Sequence, residues 1–154
     1  MQAPSFFCST GASFITGHTL GINGGTMAQC GGKMTADSKV TREIMERFNS
    51  AFEAHRPEDL DDLIGEGCAL ENTAPAPDGA RYEGREACLN FWKGIASSAD
   101  LAFEAEEIWA CEDRGIIRWQ LRWSEREADR VRGVNVMRVR DGKIVEAQGY
   151  VKGP

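Results

Sequence analysis

Residues 131–153, VRGVNVMRVRDGKIVEAQGYVKG, constrain this chain more than any other stretch. Two runs of strand-forming residues flank Asp141-Gly142, a pair that readily takes the positive φ angles of a tight hairpin turn. Side chains alternate along a strand, so Gly133, Asn135, Met137 and Val139 share one face, while Val134, Val136 and Arg138 take the other. The run at 116–124 alternates too, setting Ile117, Trp119, Leu121 and Trp123 against Arg118, Gln120 and Arg122. An aromatic and apolar sheet face of this kind needs a cover.

The preceding residues supply one. Val40, Ile44, Phe48, Ala51 and Phe52 recur at helical spacing behind an N-cap at Asp37 or Ser38, which predicts a first helix ending near His55-Arg56-Pro57. Pro57 suits the first turn of a second, short helix with Leu60, Leu63 and Ile64 on one face, stopped by Gly65 and Gly67. Residues 68–72 read as a strand and 73–82 as a loop marked by Pro75, Pro77 and Asp78-Gly79. Residues 85–95 read as a third helix carrying Ala87, Leu89, Phe91 and Trp92. Strands at 101–111 and 116–124 then lead into the hairpin. This order describes an α+β domain whose curved sheet wraps three N-terminal helices.

A chain of 154 residues, 42% apolar, can bury the core of one such domain. Its net charge of −6 and pI near 5.0 argue against a phosphate-tracking surface, so nucleic acid is not an expected partner. Five cysteines (Cys8, Cys30, Cys68, Cys88, Cys111) form an odd, widely spaced set, which points to free thiols in a reducing, cytoplasmic setting. His18 and His55 stand in no metal-binding spacing, and no apolar run reaches the roughly 20 residues that cross a bilayer. Neither a metal, a cofactor nor a membrane is expected.

Residues 1–34 differ in character, being Gly-rich and uncharged before Lys33. They lack the basic start of a secretory signal. Within them, residues 12–25, ASFITGHTLGINGG, resemble the closing strand and tail of short-chain dehydrogenases/reductases. Neither that family's dinucleotide-binding turn nor its Tyr-x-x-x-Lys pair accompanies the phrase, so no reductase activity is implied. The segment reads as a relic of gene fusion or of an early start codon, with Met27 or Met34 as the natural beginning; an ordinary flexible tail is the alternative. The domain proper is then 35–154.

The hairpin wording, together with R-Y-E-G-R-E-A ahead of a helix bearing F-W, resembles the NTF2-like superfamily over about 35–153, in particular its SnoaL-like and ketosteroid-isomerase-like branches. The resemblance implies a cone-like, mixed but mostly antiparallel sheet around the helices, with a pocket inside. It also implies a homodimer pairing through the sheet's other face, where Arg118, Arg122, Val134, Val136, Arg138 and Tyr150 fall. Carried over residue by residue, the isomerase tyrosine corresponds to Phe48, the proton-shuttling acid to Asn72 and the second acid to Asn135. The aspartate of limonene-epoxide-hydrolase-like proteins corresponds to Gly149. An amide is not a base near neutral pH, although Asn135 can still donate a hydrogen bond to an oxyanion. Glu71, the nearest acid, alternates away from Asn72 and reads as a solvated or interface carboxylate.

The expected ligand site therefore comprises Phe48, Asn72, Trp119, Trp123, Asn135, Met137 and Gly149. It takes a small hydrophobic carbonyl compound without the usual acid/base pair. The alternative is an isomerase, polyketide-cyclase-like or dehydratase enzyme with an unplaced base. Cys68 and Cys88 read as core residues, and His55 as a cation near a helix C-terminus. A chain beginning at Met34 should fold with an unchanged melting temperature, checked by thermal denaturation beside the full chain; a large drop would reject the relic reading.

Overall fold

The computed structural model describes residues 34–152. The expected N-terminal extension, with Cys8, His18 and Cys30, lies outside the described residues except for Met34.

Helix α1 (Ala36–Glu53) is capped by Thr35, whose hydroxyl accepts from the Ser38 backbone N–H at 3.1 Å. The cap is thus earlier than Asp37 or Ser38, because Ser38 is engaged elsewhere. Its hydroxyl accepts from the Glu112 N–H at 2.8 Å, while Thr41 Oγ1 donates to the Glu112 carbonyl at 2.6 Å. The buried stripe of α1 runs through Thr41, Ile44, Met45, Phe48 and Phe52, and Val40, on a neighbouring face, is 45% exposed.

The second expected helix is only a 3₁₀ turn, Pro57–Leu60. Strand β1 (Ile64–Glu71) begins at Ile64, so Gly65 and Gly67 lie inside a strand instead of ending a helix. A ladder partner decides this: Ile64 pairs in parallel with Ile144, whose N–H donates to the Leu63 carbonyl at 2.7 Å. Part of the expected loop is also a strand, β2 (Arg81–Glu83), antiparallel to β1.

Helix α2 (Arg85–Ala96) follows, then β3 (Ala102–Cys111), β4 (Arg114–Arg122), β5 (Arg130–Arg140) and β6 (Lys143–Val151). The strand order is β2-β1-β6-β5-β4-β3, parallel only between β1 and β6. The β5–β6 turn falls on Asp141 and Gly142, with φ of 49° and 70°. Two α-helices and a curved, mostly antiparallel sheet thus make the α+β fold.

The core gathers α1, α2 and the inner sheet face around Met45, Leu60, Leu63, Ile117, Met137 and Ile144, all essentially inaccessible. Helix α1 comes close to β4 at Gly115, where a Cβ would stand 2.6 Å from Met45 Cγ and 2.7 Å from Sδ. Among the described residues no helix is long and apolar enough to cross a membrane, and no cluster of His, Cys, Asp or Glu could hold a metal. Gly115→Val should lower stability by about 1–3 kcal/mol through overpacking against Met45; a urea midpoint equal to that of the parent would contradict this packing.

Candidate functional site

The concave sheet face and the helices line a partly open cavity of about 180 Å³. Helices α1 and α2 contribute Phe52, Phe91, Trp92 and Ile95; β3 and β4 contribute Phe103, Trp119 and Leu121. Strand β5 adds Asn135 and Met137, β6 adds Ala147 and Gly149, and Leu70 to Thr73 close one side. A wider groove of about 300 Å³ on the other sheet face is lined by Glu71, Arg81, Arg138, Arg140 and Glu146, where acids and bases offset one another.

Five of the seven residues singled out from sequence line the inner cavity: Asn72, Trp119, Asn135, Met137 and Gly149. Register explains part of this. Ile117 pairs with Asn135 and Asn135 with Gly149, while Trp119 pairs with Gly133. The same inner face therefore carries Trp119, Asn135, Met137 and Gly149 across three strands, while Asn72 follows the end of β1.

Two residues do not join them. Phe48 is 2% exposed and packs in the core against Phe52 and Trp92, at centroid distances of 4.9 and 5.1 Å. Phe52, one helical turn on, reaches the cavity instead. Trp123 lies one residue past the end of β4, where strand alternation no longer governs it, and is 48% exposed. The α2 aromatics Phe91 and Trp92, and Phe103, line the cavity in addition to the residues expected from sequence. Their helical and alternating spacing marks them as buried, but only the fold shows that they border a void.

The polar groups differ in what they leave free. Asn72 Oδ1 accepts from the Thr73 N–H at 2.7 Å, and its Nδ2 donates to the Ala74 carbonyl at 3.4 Å, so this amide serves the loop. No hydrogen bond within the described residues engages the Asn135 side chain. Trp119 Nε1 is buried without a partner among the described residues. At Gly149 a Cβ would stand 3.0 Å from Thr73 Cγ2 and 3.4 Å from Asn135 Oδ1, so a side chain there would crowd the amide.

Glu71 alone among the lining residues is ionisable. Its carboxylate accepts from Arg81 Nη1 at 2.7 Å and from Gln148 Nε2 at 3.2 Å. Cys68 and Cys88, both buried, do not line the cavity. Burial raises the Cys68 thiol above its usual 9.0, with Cys88 beside it adding to the shift, and burial likewise raises Cys88. Protonated thiols of this kind are poor nucleophiles. His55 Nδ1 lies 3.2 Å from the Ala96 carbonyl, at the C-terminal end of α2. The cavity walls therefore offer apolar contact and an amide donor, a combination that can hold and orient an acceptor oxygen.

A family model for the SnoaL-like domain matches residues 45–147. No curated protein matches the chain. Among solved structures, an NTF2-like protein of unknown function from Mesorhizobium loti is 50% identical, with a TM-score of 0.73 over 77% of this chain and 96% of that one. A candidate ketosteroid isomerase from Kribbella flavida is 18% identical, with a TM-score of 0.66 over 77% of this chain and 82% of its own. An LEH-like epoxide hydrolase from M. tuberculosis is 18% identical, with a TM-score of 0.58 over 75% of this chain and 84% of its own. The last two share the fold.

Proposed function

This chain belongs to the SnoaL-like domain family of NTF2-like proteins, and we propose that its inner cavity binds a small hydrophobic molecule through a carbonyl group. The observation that carries this reading is the Asn135 amide, which lines an apolar, aromatic cavity and has no side-chain hydrogen bond among the described residues. A few placed polar groups in an apolar hollow are the usual make-up of a small-molecule site. Asn135 Nδ2 donates to the carbonyl oxygen, while Trp119, Phe103 and Met137 enclose the hydrocarbon part.

An isomerase, cyclase or dehydratase activity is the second reading, and it draws on the place of Asn135 as an oxyanion donor in a ketosteroid-isomerase-like fold. Such a reaction needs a base. Asn72 is an amide, and the Glu71 carboxylate is held by Arg81 and Gln148. Binding is therefore the stronger reading.

We also propose that a second copy of the chain packs on the opposite sheet face. Trp109 and Tyr150 are 44% and 53% exposed, and Tyr150 pairs with Val134. Arg118 lies over the Trp109 ring at 5.7 Å, and Glu106 pairs with both Arg118 and Arg132. Aromatic and arginine side chains together suit the centre of a protein interface.

Thermal shift against a panel of hydrophobic carbonyl compounds should give a saturable rise in melting temperature. Asn135→Leu, still folded, should weaken that binding by about threefold to tenfold, the worth of one hydrogen bond; unchanged affinity would remove Asn135 from the site. Sedimentation equilibrium should return twice the 16.9 kDa chain mass. Val134→Asp should shift it to the monomer, and a monomeric parent would dismiss the pairing.

A further inference from the structure

The cavity is small and carries no free charge, and both properties trace to particular residues. Its volume of about 180 Å³ is close to the roughly 150 Å³ of an apolar cavity that takes one benzene ring. Trp119 is one of the bulky walls that bound it. The indole lies against β5 at Gly133, where a Cβ would come within 2.3 Å of Cζ2 and 2.5 Å of Cη2. Glycine at 133 is thus the condition for this ring position.

No hydrogen bond holds the ring in place. Trp119 is 7% exposed, its Nε1 is without a partner among the described residues, and it packs edge-on to Phe103 with centroids 5.8 Å apart. Packing alone sets where the indole stands, so shortening this side chain orphans no polar group. Charge is excluded on separate grounds. The lining contains no Lys, Arg or His, and its one carboxylate, Glu71, is held by Arg81 and Gln148. A ligand carboxylate would lose its water without meeting a cation, which is strongly unfavourable.

We infer that Trp119 is the specificity-determining residue of this cavity, restricting it to neutral carbonyl compounds of one ring or a short chain. Two-ring compounds are shut out by the indole, and carboxylates by the absence of a cation. This ligand class rests on the reading of the cavity as a carbonyl-binding site.

The full chain and its Trp119→Ala variant are titrated with acetophenone, 2-acetylnaphthalene and benzoate at neutral pH. Ligand-observed NMR reads binding and circular dichroism reads the fold, with Trp119→Leu taking the place of the alanine variant if that does not fold. The parent should bind acetophenone roughly tenfold or more tighter than 2-acetylnaphthalene, the scale on which pockets discriminate by size, and should not bind benzoate. The variant should reverse the order of the two ketones. Equal binding of both ketones by the parent, binding of benzoate, or an unchanged order in the folded variant would overturn the role of Trp119 or the neutrality of the ligand, while leaving a carbonyl site in place. Failure of the parent to bind any of the three would instead bring down the carbonyl-binding reading, and this selectivity with it.

Discussion

The seat of α1 on β4 is the contact on which the rest of the structure depends. Gly115 has no side chain to hold the helix away, and the fully buried Met45 fills the space above it. At the start of the same helix, Ser38 and Thr41 bond the N–H and carbonyl of Glu112 in the β3–β4 turn. An apolar contact and two partly buried hydrogen bonds thus hold one helix against one hairpin. With α1 held there, Phe48 reaches Trp92 of α2, and Phe52 is placed at the edge of a cavity that neither helix nor sheet could form alone.

Polarity is divided between the two faces of the sheet. The outer face carries ion pairs such as Arg118 with Glu106 and Glu107, and Arg114 and Arg138 with Glu146. Partly exposed pairs of this kind are worth about 0–1 kcal/mol each, so they shape the surface more than they stabilise the fold. The cavity on the inner face is apolar except for Glu71 and Thr73 at one side, two amides and the buried indole N–H. Asn72 and Asn135 are amides, which hydrogen-bond but have no basicity near neutral pH. The cavity therefore pairs apolar walls with amide hydrogen-bonding groups.

Much of this was legible in the chain itself, because it rests on local rules. Asp141-Gly142 sits at the hairpin turn since two successive residues there need positive φ. The period-two pattern put Trp119, Asn135 and Met137 on one face, and the period near 3.6 marked Ile44, Phe48 and Phe52 as buried. The failures share a cause. The spacing of Ile64 to Leu60 and Leu63 predicts a helix, yet a parallel partner in Ile144, some eighty residues away, makes it a strand residue. The alternation that places Trp123 inward extends one residue beyond the strand that sustains it.

By itself the sequence determined the inner and outer faces, the hairpin turn and the presence of Trp119, Asn135 and Met137 on the inner wall. Alternation and turn chemistry are properties of neighbouring residues, so they need no knowledge of the whole. Only the tertiary structure decided which buried residues border a cavity and which fill the core, separating Phe52 from Phe48. It alone decided that the Asn72 amide is used by its own loop while Asn135 keeps its donors, and that Trp119 rests over Gly133. A void and a spare hydrogen bond are defined by everything that surrounds them, and those surroundings come from strands and helices distant in the chain.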